Sequence, residues 1–186
     1  WDRGFDPEDD RFYYCPAFAP SRMKRRFIIP FTYQGKTVGY TARWIGTPSN
    51  NMPKYFNQQP KNNFVYGLDR QTANKDTVIV TEGIMDAIVT DGVAIGGNEC
   101  NSEQADIIDS LNKRVVVLPD ADAAGLKLVN TAISRGWEVS FPEWDRCKDA
   151  GDAQEKYGRL FAVKSILDSA ISNSTKIKVM AKGYCR

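Results

Sequence analysis

The chain has 186 residues, 42% of them hydrophobic, with a formal net charge of +2, which suits one domain of good size or two small lobes. It contains no histidine, so Ser-His-Asp triads, Cys-His pairs and histidine-bound zinc are excluded, and catalysis must rest on carboxylates, lysines, hydroxyls or metal ions. Four scattered cysteines without a Cys-x-x-Cys pair suit reduced thiols, and no apolar run reaches the roughly 18 residues of a membrane span, so we expect a cytoplasmic protein with no membrane partner.

The first part of the chain is predicted to form a basic lobe. After an acidic lead-in over residues 1–10, residues 11–75 hold eleven lysines and arginines against one acidic residue. Residues 26–46 alternate β-branched and aromatic side chains around Gln34-Gly35, which indicates a β-hairpin, and the polar residues 47–63 indicate a loop. We place the lobe boundary between Asp69 and Asp76. Such a local excess of positive charge favours a surface that binds a polyanion.

In the second part, short β-branched runs alternate with amphipathic segments of helix length. The predicted strands are 77–81, 93–97, 114–118 and 137–141. Helices are predicted to begin near Ile84, Ser102 and Ala123, and a final helix is predicted over residues 159–171. Asn101 and Gln104 have the spacing of a capping box before the second helix. This order predicts an α/β fold, with a parallel sheet covered by helices and ligands at the carboxyl ends of its strands.

Three acidic clusters follow predicted strands, and in a parallel sheet they would converge on one edge. They are Glu82 with Asp86, Asp120 with Asp122, and Asp149 with Asp152. Five or six carboxylates so close together repel one another unless cations neutralise them. Hard oxygen ligands suit Mg²⁺ or Mn²⁺, and two such ions would serve phosphoryl transfer.

Each carboxylate also has a simpler interpretation. A single aspartate between a strand and a helix is more often a helix cap than a metal ligand, and Glu82 alone is more often a solvated surface group. The coincidence of three clusters at successive strand ends, in a chain without histidine, favours metal.

Two of these motifs resemble a known family. "EGIMDA" and "PDADAAG", each after a hydrophobic strand, resemble the Glu-Gly-x-x-Asp and Asp-x-Asp-x-x-Gly signatures of the TOPRIM domain, which primases, topoisomerases and some nucleases share. "RFIIPFTYQGKTVGYTARWIG", "PKYFNQQ" and "FVYGL" resemble the basic amino-terminal lobe of bacterial and phage primase cores, and "KDAGDAQEKYG" resembles a motif of phage primase-helicases. The resemblance covers residues 26–158.

This resemblance implies a Rossmann-like TOPRIM sheet behind a basic mixed α+β lobe. The implied regions are a template- and nucleotide-binding lobe over 1–75, a metal-binding catalytic lobe over 76–159 and a helical segment over 160–186. Glu82, Asp120 and Asp122 would be the principal catalytic and metal carboxylates, with Asp86, Asp149 and Asp152 in support. The positions that would hold template or nucleotide phosphates are Arg43, Lys54, Asn57 and Lys61, although Arg43 could instead only stack on an aromatic ring and each lysine could merely be solvated.

The function implied is a primase core that makes short RNA primers on single-stranded DNA from ribonucleoside triphosphates, with two Mg²⁺ or Mn²⁺ ions, in a bacterial or phage-infected cell. A replicative helicase, fused or separate, is the implied partner. The cysteine-rich zinc module of primases is missing from the sequence, and we expect it upstream in a longer protein or on another chain. A TOPRIM nuclease and a non-catalytic nucleic-acid-binding TOPRIM module are the alternatives; a topoisomerase is disfavoured by the short chain.

Overall fold

The computed structural model describes residues 12–16, 18, 22–47, 52–58, 60, 63–97 and 99–185. They form two compact units: the first holds the described residues up to Pro60, and the second begins at Asn63. Residues 63–75 therefore belong with the second unit. Their link to it includes a pair of backbone hydrogen bonds, 2.8 and 3.1 Å long, between Tyr66 and Ala94. The predicted division of functions among 1–75, 76–159 and 160–186 stays a prediction.

The first unit contains a four-stranded antiparallel sheet whose strands lie side by side in chain order. They are β1 (Tyr13–Cys15), β2 (Arg26–Tyr33), β3 (Lys36–Trp44) and β4 (Tyr55–Gln58). The predicted hairpin joins β2 to β3, and Gln34 and Gly35 have φ angles of 51° and 72°, as a two-residue turn of this kind requires. β4 lies inside the segment predicted as loop, because four residues among polar neighbours give no visible alternation. The described part of this unit contains strands and no helix.

The second unit contains the predicted parallel sheet. Its strands are ordered β6-β5-β7-β8-β9, and the first four are parallel while β9 runs antiparallel to β8. Their bounds are β5 Thr77–Thr81, β6 Val93–Ala94, β7 Arg114–Leu118, β8 Glu138–Ser140 and β9 Ala170–Ile171. The helices are α1 Ile84–Thr90, α2 Ser102–Asp109, α3 Gly125–Arg135, α4 Ala150–Tyr157, α5 Arg159–Asp168 and α6 Ser174–Tyr184. The predicted α/β class is confirmed.

Helices cover both faces of this sheet, so its strands are buried on both sides. Val78 and Val80 of β5 belong to an apolar cluster that includes Ile108 of α2, Leu128 of α3 and Ile177 of α6. Ile79, which points the other way, borders a groove lined by residues of α1 and α5. None of the helices in the described ranges is long and apolar enough to cross a membrane.

Three details of the second unit differ from the sequence prediction. Helix α3 begins at Gly125, two residues later than predicted, and the Asp122 side chain accepts from the backbone N–H groups of Ala124 and Gly125 at the preceding turn. Helix α4 was not predicted, since its polar residues show no clear apolar period. The helix predicted as final ends at Asp168 and is followed by β9 and α6.

Gln104 ties the start of α2 to two other segments. Its side-chain oxygen accepts from the Asn101 backbone N–H at 3.2 Å, which completes the predicted capping box. Its amide nitrogen donates to the carbonyl oxygens of Phe64 and Ile95, both at 2.9 Å, and the residue is buried.

We expect Gln104→Ala to lower the free energy of unfolding by about 3 kcal/mol, because it leaves buried carbonyls unpaired and removes half of the capping box. Chemical denaturation measures the change. Glu103→Ala, an exposed change in the same turn, is the matched control and should shift stability by less than about 0.5 kcal/mol. Equal stability of the two variants would contradict the role of Gln104.

Candidate functional site

Two strands end side by side at the edge where the acidic clusters were predicted to meet. In the parallel pairing of β5 with β7, Thr81 lies opposite Leu118, which are the last residues of the two strands. The next acidic residue after each strand is therefore brought to the same edge. The Asp120 backbone N–H donates to Glu82 Oε1 at 3.1 Å, and Glu82 is only 6% exposed.

Asp86 connects this edge to the third acidic cluster. It lies in the first turn of α1, and its Oδ1 accepts from the Ala150 backbone N–H, at the start of α4, at 3.1 Å. Gly83 has φ −87° and ψ 137°, which any residue adopts, so the backbone conformation does not require glycine there. The absence of a side chain at Gly83 instead leaves room for Asp86, because a Cβ there would lie 2.8 Å from Asp86 Oδ2.

Two of the aspartates accept backbone hydrogen bonds near the start of a helix. Asp122 Oδ1 accepts from the backbone N–H groups of Ala124 and Gly125 at 2.8 and 3.0 Å. Asp149 Oδ1 accepts from the Asp152 N–H at 2.8 Å and caps α4. The simpler interpretation, a helix cap, is thus correct for Asp149, whereas Asp122 holds the turn before α3 without being its N-cap residue. These hydrogen bonds use Oδ1, so they do not by themselves prevent either carboxylate from binding a cation.

The carboxyl groups at this edge interact strongly. Burial, with the nearby charges of Asp120 and Asp122, raises the pKa of Glu82 to about 7. Burial, with the charges of Asp149 and Asp120, raises the pKa of Asp86 to about 7. Burial and the charge of Asp122 also raise the pKa of Asp120. A shared excess of negative charge disfavours ionisation of each group, and a cation would relieve it.

The donor set fits a hard divalent cation in its chemistry, since it consists of carboxylate oxygens without nearby histidine. Within the described ranges, no three acidic or thiol side chains stand in a metal-ligating group. The carboxylates of the acidic edge are instead oriented by hydrogen bonds from the backbone. Glu82, Asp120 and Asp122 would hold the ion, together with Asp86.

Asp152 lies in the first turn of α4. Its Oδ2 accepts from the Lys148 backbone N–H at 3.2 Å, and its own N–H is the group that Asp149 caps. Asp152 thus belongs to the turn that presents Asp149 to the acidic edge.

Two residues of the acidic edge had no signal in the sequence. Tyr184, at the end of α6, borders a small cavity together with Asp86, Asp120 and Asp149. The Cys185 Sγ lies 3.7 Å from the Asp120 carbonyl oxygen, and burial next to the charge of Glu82 raises its pKa to about 11. Only the packing of α6 brings them there, because more than 60 residues separate them from Asp120 along the chain.

The basic candidates lie in the first unit. Arg43 of β3 pairs across strands with Tyr55 of β4, and Thr41 pairs with Asn57, so all four side chains face the same side of the sheet. The guanidinium of Arg43 lies 5.8 Å from the centre of the Tyr55 ring, and Lys54 Nζ lies 5.7 Å from it. The stacking alternative for Arg43 is therefore real, with Tyr55 as the partner. Thr41 Oγ1 and Asn57 Oδ1 are 2.5 Å apart. Lys61 lies outside the described residues.

Residues 79–154 match the family of Toprim-like domains. The chain is 32% identical to the DNA primase of Clostridium acetobutylicum over 132 residues, which are 63% of this chain and 21% of that protein. The chain is a relative of the TOPRIM-containing primases. It spans about a fifth of the length of such curated relatives.

Solved primase structures share the fold. The zinc-binding and RNA polymerase domains of the Aquifex aeolicus primase align with a TM-score of 0.67 at 22% identity, over 96% of this chain and 52% of that one. The DnaG primase catalytic domain bound to single-stranded DNA aligns with a TM-score of 0.67 at 20% identity, over 85% of this chain and 56% of that one. The predicted TOPRIM fold is confirmed.

Gly125, the last residue of the Asp-x-Asp-x-x-Gly motif, allows α3 to start against the backbone of Asp120. A Cβ at Gly125 would lie 2.0 Å from the Asp120 carbonyl oxygen, which requires the backbone to move. We expect Gly125→Ala to lower the free energy of unfolding by about 2–3 kcal/mol, measured by chemical denaturation. Gly183→Ala in α6 meets open space and should be neutral or stabilising by up to about 1 kcal/mol. A Gly125→Ala variant as stable as the unchanged chain would contradict the close contact.

The stability of the metal-free chain should depend on pH through Glu82. Its folded-state pKa of about 7 exceeds the ordinary 4.5, so its protonated form is favoured by folding. That contribution is complete below about pH 4.5 and is lost as the pH rises towards 7. In thermal unfolding with a chelator, we expect the midpoint temperature to decrease as the pH is raised from about 4.5 to about 7. Glu82→Gln keeps a side-chain oxygen that can accept from the Asp120 N–H, and it should make the midpoint temperature depend less on pH. The same pH dependence in both proteins would contradict the role of Glu82.

Proposed function

We propose that the chain is the catalytic core of a DNA primase, which makes short RNA primers on single-stranded DNA from ribonucleoside triphosphates. The observation that carries the proposal is the meeting of Glu82 and Asp120 at the ends of β5 and β7, in a chain related to DNA primases. A basic, aromatic sheet in the other unit provides the complementary chemistry for phosphates. The chain covers only part of its relatives, so the activity of the whole protein is inferred from this core.

Glu82, Asp120 and Asp122 are the principal carboxylates in this proposal. They would hold two Mg²⁺ or Mn²⁺ ions, with support from Asp86, Asp149 and Asp152. When bound, such ions activate an attacking oxygen and stabilise the leaving pyrophosphate. The chain itself contributes orientation: the buried Glu82 is fixed by the Asp120 N–H, and Asp86 is fixed by the start of α4. These contacts keep the acidic groups together despite their repulsion.

Arg43, Lys54, Asn57 and Lys61 would bind template or nucleotide phosphates. Arg43 and Lys54 both approach the half-exposed Tyr55, whose ring can also stack on a base. The DnaG primase catalytic domain, which shares this fold, binds single-stranded DNA, and we extend that binding to this chain. A replicative helicase and a zinc module supplied by a longer protein or another chain complete the proposal.

We expect Asp120→Asn and Asp122→Asn each to reduce ribonucleotide incorporation on a single-stranded template by on the order of 100-fold or more, because a developing charge loses its stabilisation. A chelator should abolish incorporation and excess Mg²⁺ should restore it. Asp168→Asn, on the exposed side of α5, is the control and should retain full activity.

Retained synthesis in both site variants would overturn the assignment. Metal-dependent cleavage of a labelled strand without any need for nucleoside triphosphates would identify a TOPRIM nuclease instead. Tight DNA binding that ignores Mg²⁺, with no turnover, would identify a non-catalytic binding module.

A further inference from the structure

A charged side chain is completely buried in the first unit. Arg26, the first residue of β2, has no exposed surface and is among the largest fully buried side chains. Taking a charge out of water costs several kcal/mol unless hydrogen bonds compensate it. The proposed catalytic chemistry makes no use of this residue.

Backbone carbonyl oxygens from separate segments surround the guanidinium. Nε donates to Arg22 O at 2.9 Å, Nη1 donates to Ala42 O at 2.9 Å, and Nη2 donates to Pro53 O at 2.9 Å. Nη1 also reaches Lys54 O at 3.4 Å. The ring of Trp44 stacks on the same group, with its centre 5.5 Å from the guanidinium carbon. The planar fork of an arginine can bridge several segments in this way, whereas a lysine presents a single point.

The segments joined by Arg26 carry two of the candidate phosphate-binding cations. Ala42 directly precedes Arg43 in β3, and Lys54 directly follows Pro53. Arg26 therefore fixes the backbone of both cations from beneath. The Trp44 N–H donates to Lys54 O at 2.8 Å, which is a second link between β3 and the segment before β4.

This link bears on where the two cations lie. Arg43 and Lys54 each lie within 6 Å of the centre of the same Tyr55 ring, so the position of one relative to the other depends on the backbone segments that carry them. An apolar side chain in place of Arg26 could fill the same space, but it would leave the Ala42 and Pro53 carbonyl oxygens without this donor. Among the described residues, only the Trp44 N–H and the pairing of β3 with β4 would then hold the Pro53–Lys54 backbone near β3.

We propose that Arg26 is a positioning residue for phosphate binding: it sets the place of Lys54 relative to Arg43 without touching the nucleic acid. This rests on the proposed function of Lys54 as a phosphate-binding residue. It goes further in assigning the geometry of that surface to a buried residue that no phosphate reaches.

A double-mutant cycle tests the assignment, because a residue that acts through Lys54 must lose its effect when Lys54 is removed. The probe is a fluorescein-labelled single-stranded oligonucleotide, and its affinity is measured by anisotropy at fixed salt. We expect Arg26→Met to weaken binding about 10-fold in the otherwise unchanged chain and less than about 2-fold in a Lys54→Ala background. Lys36→Met, which removes an exposed cation at the start of β3, is the control and should have the same effect in both backgrounds.

Pro53→Gly provides a second variant in case Arg26→Met fails to fold. It leaves the Arg26 side chain intact and loosens the exposed segment that the guanidinium holds. We expect it to weaken binding with the same dependence on Lys54. Denaturation of each variant in the absence of DNA verifies that the unit is folded.

Equal losses in both backgrounds, or no loss in a folded Arg26→Met protein, would overturn the positioning role while leaving Lys54 as a phosphate-binding residue. Unchanged affinity in Lys54→Ala alone would overturn the phosphate role of Lys54, and the positioning role with it. The two failures are therefore distinguishable from the single variants.

Discussion

The acidic edge depends on the in-register parallel pairing of β5 with β7. Because Thr81 lies opposite Leu118, both strands end at the same level, and residues 38 positions apart in sequence come into hydrogen-bond contact. The valines of these strands are buried against helices on both faces, so the strand ends cannot slide relative to each other without disrupting the core. A rigid apolar sheet is what allows so many carboxylates to be concentrated at one edge.

This concentration of charge is held by backbone contacts. Glu82 accepts from the backbone of Asp120, Asp86 from the backbone of Ala150, and Asp122 from the first turn of α3. The raised pKa values of Glu82 and Asp86 show that these hydrogen bonds only partly offset burial and repulsion. Such a site is poised for cations, and the caps and the site are formed by the same residues.

In the first unit, backbone hydrogen bonds likewise hold a positively charged side chain. The Arg26 guanidinium is enclosed by carbonyl oxygens from β3 and the segment before β4, and Arg43 and Lys54 lie on those segments. In both units, backbone hydrogen bonds fix the orientation of charged side chains. The difference lies in burial: the carboxylates of the acidic edge are partly open to solutes, whereas Arg26 is sealed and acts only on its neighbours.

The sequence by itself determined the local features and the chemistry of the motifs. The runs of β5 and β7, the hairpin at Gln34-Gly35 and the capping box of α2 are all encoded by neighbouring residues, so they could be predicted. The convergence of the acidic clusters also followed, because parallel strands share one carboxyl edge. The short strand β4 and the polar helix α4 were missed, since neither carries a clear apolar period. Only the tertiary structure decided that Tyr184 and Cys185 border the acidic edge and that Arg26 joins three segments, because these contacts link positions far apart in the chain and depend on how the elements pack.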